Sequence, residues 1–547
     1  MTLQRRILAL GLWALLLAGD GSVAQEHGTQ HERLGTVHFA TSCNAAAQKP
    51  FDRAVALLHS FQFSRAIDGF NAALKADSSC AIAYWGIALS QWTNPFALGL
   101  KDPAQLEAGR QAADRGLATK AKTERESLYV KAVSRLYADF EKMPQRARLL
   151  AYRDAMADLA ARYPHDAEAS IFYALALAAS EEPTDKTYAS RLKAGGILEA
   201  LFAKEPEHPG LAHYIIHTYD VPPLAGRALL AAQEYSKIAP DAPHALHMPS
   251  HTFTRIGYWQ DSIDSNLAAA AAARREGQTA EELHALDYQT YAYLQTGQDE
   301  AARRLVESLQ EIASRFTPEV VVSGAASPSA GYFALAAIPA RYALERGDWK
   351  AAAKLEVRET PVPYTEAMTY FARGLAAAHL QDSQTARASE EALAQIHDRL
   401  AQAIEPYWAQ QVEIQRREVS AWLELAEGHA DDALREMKAA ADLEDGTEKS
   451  AVTPGPLAPA RELLGEMLLQ VNEPTQALEQ FEATLKREPN RFRALYGAAR
   501  AAHIKGDQAL SHKYFRELLV VCERADKPGR KEIVETREEL AEARVRQ

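Results

Sequence analysis

A 34-residue interval constrains this chain more than any other feature. Phe515 follows Phe481 by 34 residues, and Pro240 follows Pro206 by the same step. Between such markers, alanine, leucine and charged residues recur with helical spacing, broken by short Gly, Pro or Asp/Asn turns. Nothing reads as a run of strands. A fixed period of this length marks a repeat array. One two-helix unit cannot bury its apolar face alone, so neighbours must stack. The 547 residues are therefore predicted to build an all-α solenoid rather than a set of unrelated domains.

The individual units carry more detail. Leu464, Gly465, Leu468, Ala477, Phe481 and Pro489 place large and small residues on two helices and then a helix-stopping proline. Ala66, Phe70, Ala73 and Leu74 repeat the second-helix pattern near the N-terminus, with Ala228 and Ser262 in the small-residue slot of the middle units. On these residues the chain resembles the tetratricopeptide repeat family, specifically at its ends and only loosely between Gln105 and Leu201. The resemblance implies a right-handed α-solenoid of helical hairpins with a concave groove. The expected layout is a solenoid over 51–445 with His-rich central repeats at 206–300, a linker at 446–456, a C-terminal repeat pair at 457–525 and a charged helical tail at 526–547.

The N-terminus reads as a signal peptide over residues 1–24. Arg5 and Arg6 precede the apolar run Ile7–Leu17, and Ser22-Val23-Ala24 offers the small residues that cleavage needs. With no cysteine at that junction to take a lipid, the expected location is periplasmic or secreted. No later apolar stretch is long enough for a membrane span. The net charge of −12 disfavours nucleic acid and anionic membranes as partners. Of three cysteines, Cys43 and Cys80 lie close enough in sequence to pair in an oxidising compartment, which would pin the 25–50 lead segment to the first hairpin. Cys522 reads as a lone thiol.

The chemistry concentrates in HPGLAHYIIHTYD, PHALHMPSHTFTRIGYW and HALDYQTYAYL. His213 and His217 are four apart and share one helix face; His247 and His251 repeat the pair one 34-residue step later. Family resemblance puts these places on the groove wall. Alignment of the next unit on Gly297 sets His284, Asp287 and Tyr291 on the same wall, beside His244 and His208. Neutral imidazoles with a carboxylate suit zinc, copper or iron. The expected ligands are His213, His217, His247, His251, His284 and Asp287. His208, His244, Tyr291, Arg255, Trp85 and Trp92 are expected to support them or to bind a ligand, although aromatic residues in such helices more often form core and an Arg more often a surface ion pair. His59, His429, His503 and His512 read as ordinary core or surface histidines.

The double motif HPGLAHYIIH with HMPSH also looks like a group of exported bacterial tetratricopeptide proteins, a likeness that implies fold and location but no activity. No P-loop, Gly-rich dinucleotide fingerprint, H-E-x-x-H, G-x-S-x-G or haem-attachment C-x-x-C-H occurs. Three functions stay open: a groove holding a metal with a protein, peptide or small-molecule partner; a hydrolytic or oxidative metalloenzyme on the same histidines; and a metal-free adaptor.

Overall fold

The computed structural model describes residues 32–545, apart from 98, 183, 319–321 and 323. The signal peptide expected over 1–24 lies outside the described residues. Among those residues there are 26 α-helices and two 3-10 turns, and no strand. No described helix is long and apolar enough to cross a membrane.

The repeat pattern acts through large residues seated on small ones. Phe481, on helix Pro474–Arg487, fills the space left by Gly465 on Ala460–Gln470 and Gly497 on Phe492–Lys505. A Cβ at Gly465 would come within 2.8 Å of the Phe481 ring, and one at Gly497 within 2.4 Å. Phe70 and Gly86 reproduce this at the N-terminus, at 2.3 Å. Helices can close on the bulky ring only where the neighbour lacks a side chain. The turn at Gly297 needs φ of +67°, which glycine adopts without strain.

Residues 33–44 carry no helix and lie against the helices. Thr36 N–H donates to the Glu207 carbonyl at 2.9 Å, and Phe39 is buried against Phe51, Trp85 and Tyr129. Cys43 and Cys80 form a disulfide with Cα atoms 5.0 Å apart. At the other end the solenoid turns back on itself. Trp259 Nε1 donates to the Asn490 carbonyl at 2.8 Å, and Arg530 grips the Asp299 carboxylate at 2.6 Å.

The stretch read as a linker, 446–456, is instead threaded through the interior. Glu448 accepts from Lys186 Nζ at 2.6 Å and Tyr188 OH at 2.7 Å. Tyr288 OH donates to the carbonyls of Ala451 and Thr453, and Arg341 donates to those of Gly455 and Pro456. An irregular segment buried in this way must find partners for its backbone groups, and side chains of distant repeats supply them. The wall expected to be an open groove is consequently covered.

Candidate metal centre

Three prolines start the helices that carry the histidines. Pro209 opens Pro209–Thr218, which carries His213 and His217; Pro243 opens Pro243–His247, with His244 and His247; Pro249 opens Pro249–Arg255, with His251. Proline suits a first helical position, where an N–H has no intrahelical partner. Pro249 cannot donate to the preceding turn, which divides the last two helices, yet Met248 between them keeps helical φ −54° and ψ −36°. His247 and His251 therefore still face the same side. His284 comes from Thr279–Gln295.

All six imidazoles are buried. They fall into two groups, His213–His217–His244 and His247–His251–His284, in each of which one nitrogen per residue lies within 4.8 Å of the others. His217, His244, His251 and His284 form one side of a small cleft of about 40 Å³. Its other side includes Ala326 and Ser329, the stacked pair Tyr364 and Trp408, and Ala451 of the threaded segment. Ala325, Ser327 and Ala330 border the site as well, and Ala326 N–H donates to Glu281 Oε1 at 2.9 Å.

Hydrogen bonds fix the tautomers in the second group. Asn266 Nδ2 donates to the Ser262 carbonyl at 2.7 Å, so its oxygen faces His247 Nδ1 at 2.7 Å and must accept a proton from it. His251 Nδ1 lies 3.0 Å from Asp220 Oδ2 and donates to it. With both Nδ1 atoms protonated, neutral rings leave bare lone pairs on both Nε2 atoms. These two atoms face each other at 3.1 Å. Two nitrogens on one tetrahedral zinc at ordinary bond lengths stand about 3.3 Å apart.

The rings are held neutral. Burial pushes His247 well below the usual imidazole range, helped by His284, His251 and His244. Burial lowers His251 to about 4 against the pull of Asp220, and His284 to about 3. His213 and His217 are likewise depressed, first by burial and then by neighbouring imidazoles. Burial alone would raise the Asp220 carboxyl, but Lys449, Arg255 and His251 outweigh it and hold Asp220 well below the carboxylate range. Its partners lie close: Arg255 Nε at 2.8 Å and Lys449 Nζ at 3.2 Å.

Several expected residues serve elsewhere. Asp287 is no ligand here: its Oδ1 pairs with Arg341 Nε at 2.8 Å, and both side chains are sealed from solvent. Tyr291 OH bonds Glu488 Oε2 at 2.7 Å and Arg491 at 2.9 Å, away from the imidazoles. Trp85 is core, packed on Phe39, Tyr129 and Phe172, and Trp92 packs edge-on to Tyr137. Arg255 binds the Asp220 carboxylate and carbonyl, which makes it a support for that residue. His208 pairs with Glu168 at 3.1 Å, as does His59 at 2.9 Å. His244, expected only as a supporting group, belongs to a three-imidazole group. Asp220, Asn266 and Tyr288 were not singled out from the sequence. Asp220 ends the HYIIHTYD motif and Tyr288 adjoins Asp287, so both had a positional signal; Asn266, on a second helix, had none.

No protein-family model matches this chain, and no curated protein matches it in sequence. Solved structures similar to it are helical-repeat proteins. The human IFIT1 dimer with m7Gppp-AAAA is 10% identical, with 88% of this chain and 96% of that one covered and a TM-score of 0.38. The P58(IPK) TPR domain is 13% identical over 78% and 99%, at 0.21. Naa15/Naa10 bound to HypK-THB is 13% identical over 87% and 70%, at 0.22. These likenesses are confined to architecture and add nothing to the reading of the site.

Proposed function

We propose that this is an exported helical-repeat protein that binds a transition-metal ion through His247, His251 and His284. The supporting observation is the pair of Nε2 lone pairs held 3.1 Å apart by Asn266 and Asp220. Two acceptors aimed at each other repel, and a cation between them converts that repulsion into coordination. Anchoring of ligand histidines by a carboxylate and an amide is the ordinary way a protein orients such rings. Zinc, copper or iron suits this donor set better than magnesium or calcium, which prefer oxygen. The positive leader-like N-terminus and the Cys43–Cys80 bond favour an oxidising, extracytoplasmic compartment.

A catalytic role is the second reading, favoured by the cleft onto which His251 and His284 open. A metal with an open position there can activate bound water or polarise a substrate. A peptide-docking role on this wall is favoured less, because the imidazoles are covered by the threaded segment.

Metal analysis of the chain purified without chelator tests the proposal. Stoichiometric zinc, copper or iron is expected, lost on His247→Ala or His251→Ala. Substoichiometric metal, with thermal stability unmoved by added zinc, copper or ferrous ion, would sink it.

A further inference from the structure

The 34-residue step carries His213 onto His247 and His217 onto His251, and each of these pairs has a third imidazole beside it, His244 and His284, which lie 40 residues apart. Each group takes two histidines from the first helix of one repeat and a third from the start of the next: His244 completes the first pair, and His284 the second. In the following repeat the matching places hold Asp287 and Tyr291, which are engaged by Arg341 and by Glu488 with Arg491. The series therefore closes after two members.

The first group shows its own signs of a ligand. His213 Nδ1 faces the His59 carbonyl at 2.6 Å and donates to it, so its Nε2 carries a lone pair. That Nε2, His217 Nε2 and both nitrogens of His244 are buried without a hydrogen-bond partner among the described residues. Buried polar atoms left unpaired are costly, and an ion at the centre of the group would pair them. Aromatic walls keep the rings in place: His217 stacks on Phe96 at 4.4 Å, His213 on Tyr235 at 5.2 Å and His244 on Phe61 at 5.6 Å.

The groups are also contiguous. Ring centres of His217 and His251 are 5.7 Å apart, and those of His244 and His247 6.0 Å. Those separations are no larger than the 6.2 Å between His217 and His244 inside the first group. We propose that His213, His217 and His244 form a second metal seat, so that the protein holds two transition-metal ions side by side and binds a small anion between them. This rests on the metal-binding reading above. The anion follows from charge. Neither group contains a carboxylate, and among the described residues no Asp, Glu, Lys or Arg lines the cleft. Glu281 stands 3.8 Å from His244, and Asp220 is already shared with Arg255 and Lys449. Two divalent ions would thus keep an excess positive charge that a ligand entering from the cleft must balance.

The test is titration of the metal-stripped full chain with cupric ion, with zinc in parallel, followed by electron paramagnetic resonance and addition of azide. Two equivalents of either metal are expected, with spin–spin coupling in the copper form and one azide per two coppers. His217→Gln should halve the metal count and abolish the coupling. One equivalent in the wild type would overturn the second seat while leaving the His247 seat standing; none would overturn both. Two equivalents without coupling, or one azide per copper, would overturn the side-by-side arrangement. The wild-type measurements decide the question even if the variant fails to fold.

Discussion

Two buried clusters of ligand-type residues differ in kind. In the His59–Glu168–His208 cluster the protein pairs most of its own polar atoms, His208 Nδ1 being the one left without a partner among the described residues. Glu168 accepts from His59 at 2.9 Å and His208 at 3.1 Å, and His59 Nδ1 meets Tyr214 OH at 3.0 Å. In the His247–His251–His284 cluster the supporting hydrogen bonds do the reverse, turning lone pairs toward one another. Closeness of ligand-type residues is common to both. What separates this structural network from the proposed metal seat is where the protons are directed.

That contrast can be broken at four points. The largest effect is expected from His251→Gln, which should empty the His247 seat in metal analysis while far-ultraviolet circular dichroism stays helical. Glu168→Ala should do the opposite, lowering stability in denaturant titrations by about 2–5 kcal/mol through its two lost buried hydrogen bonds. It should retain metal at the His247 seat; loss of that metal would show that the two clusters are one system. Asp220→Asn keeps the size of the side chain but weakens its grip on His251 Nδ1, so zinc affinity by competition titration should fall about 10–100-fold. An unchanged affinity would remove Asp220 from the site. Least of all, His503→Ala should alter neither metal content nor stability by more than about 0.5 kcal/mol, since that ring is 41% exposed.

The legible part of this molecule was its period. A 34-residue step is enough to say that His213 and His217 lie beside His247 and His251, because stacking makes sequence translation into spatial translation. Alignment of the next unit on Gly297 put Asp287 on the same wall, where it meets a different partner. Its place in the repeat is equivalent to that of a ligand, but Arg341, 54 residues away, reaches it first. Charge partners from other repeats carry no periodic signature. The 446–456 segment was illegible for a related reason. A stretch rich in Gly, Pro, Ser and Thr reads alike whether solvated or buried, and its burial depends on Tyr288, Arg341 and Lys186, three side chains set far apart in the chain. Asn266 escaped notice because an amide on an alanine-rich helix looks like a solubilising residue until its carbonyl is found against His247.

The threaded segment has a bearing on the order of assembly. All six imidazoles are present once the chain has reached residue 284, yet Ser450, Ala451 and Val452 contribute to the wall opposite them. For a chain that emerges N-terminus first, this leaves an interval of more than 160 residues during which the histidines are gathered and still uncovered. A cation taken up in that interval is walled in by the arrival of the segment; one offered afterwards has to pass the cleft. Apo chain refolded with metal present should therefore fill faster than chain folded first and supplied later, which makes loading a matter of timing as well as of affinity.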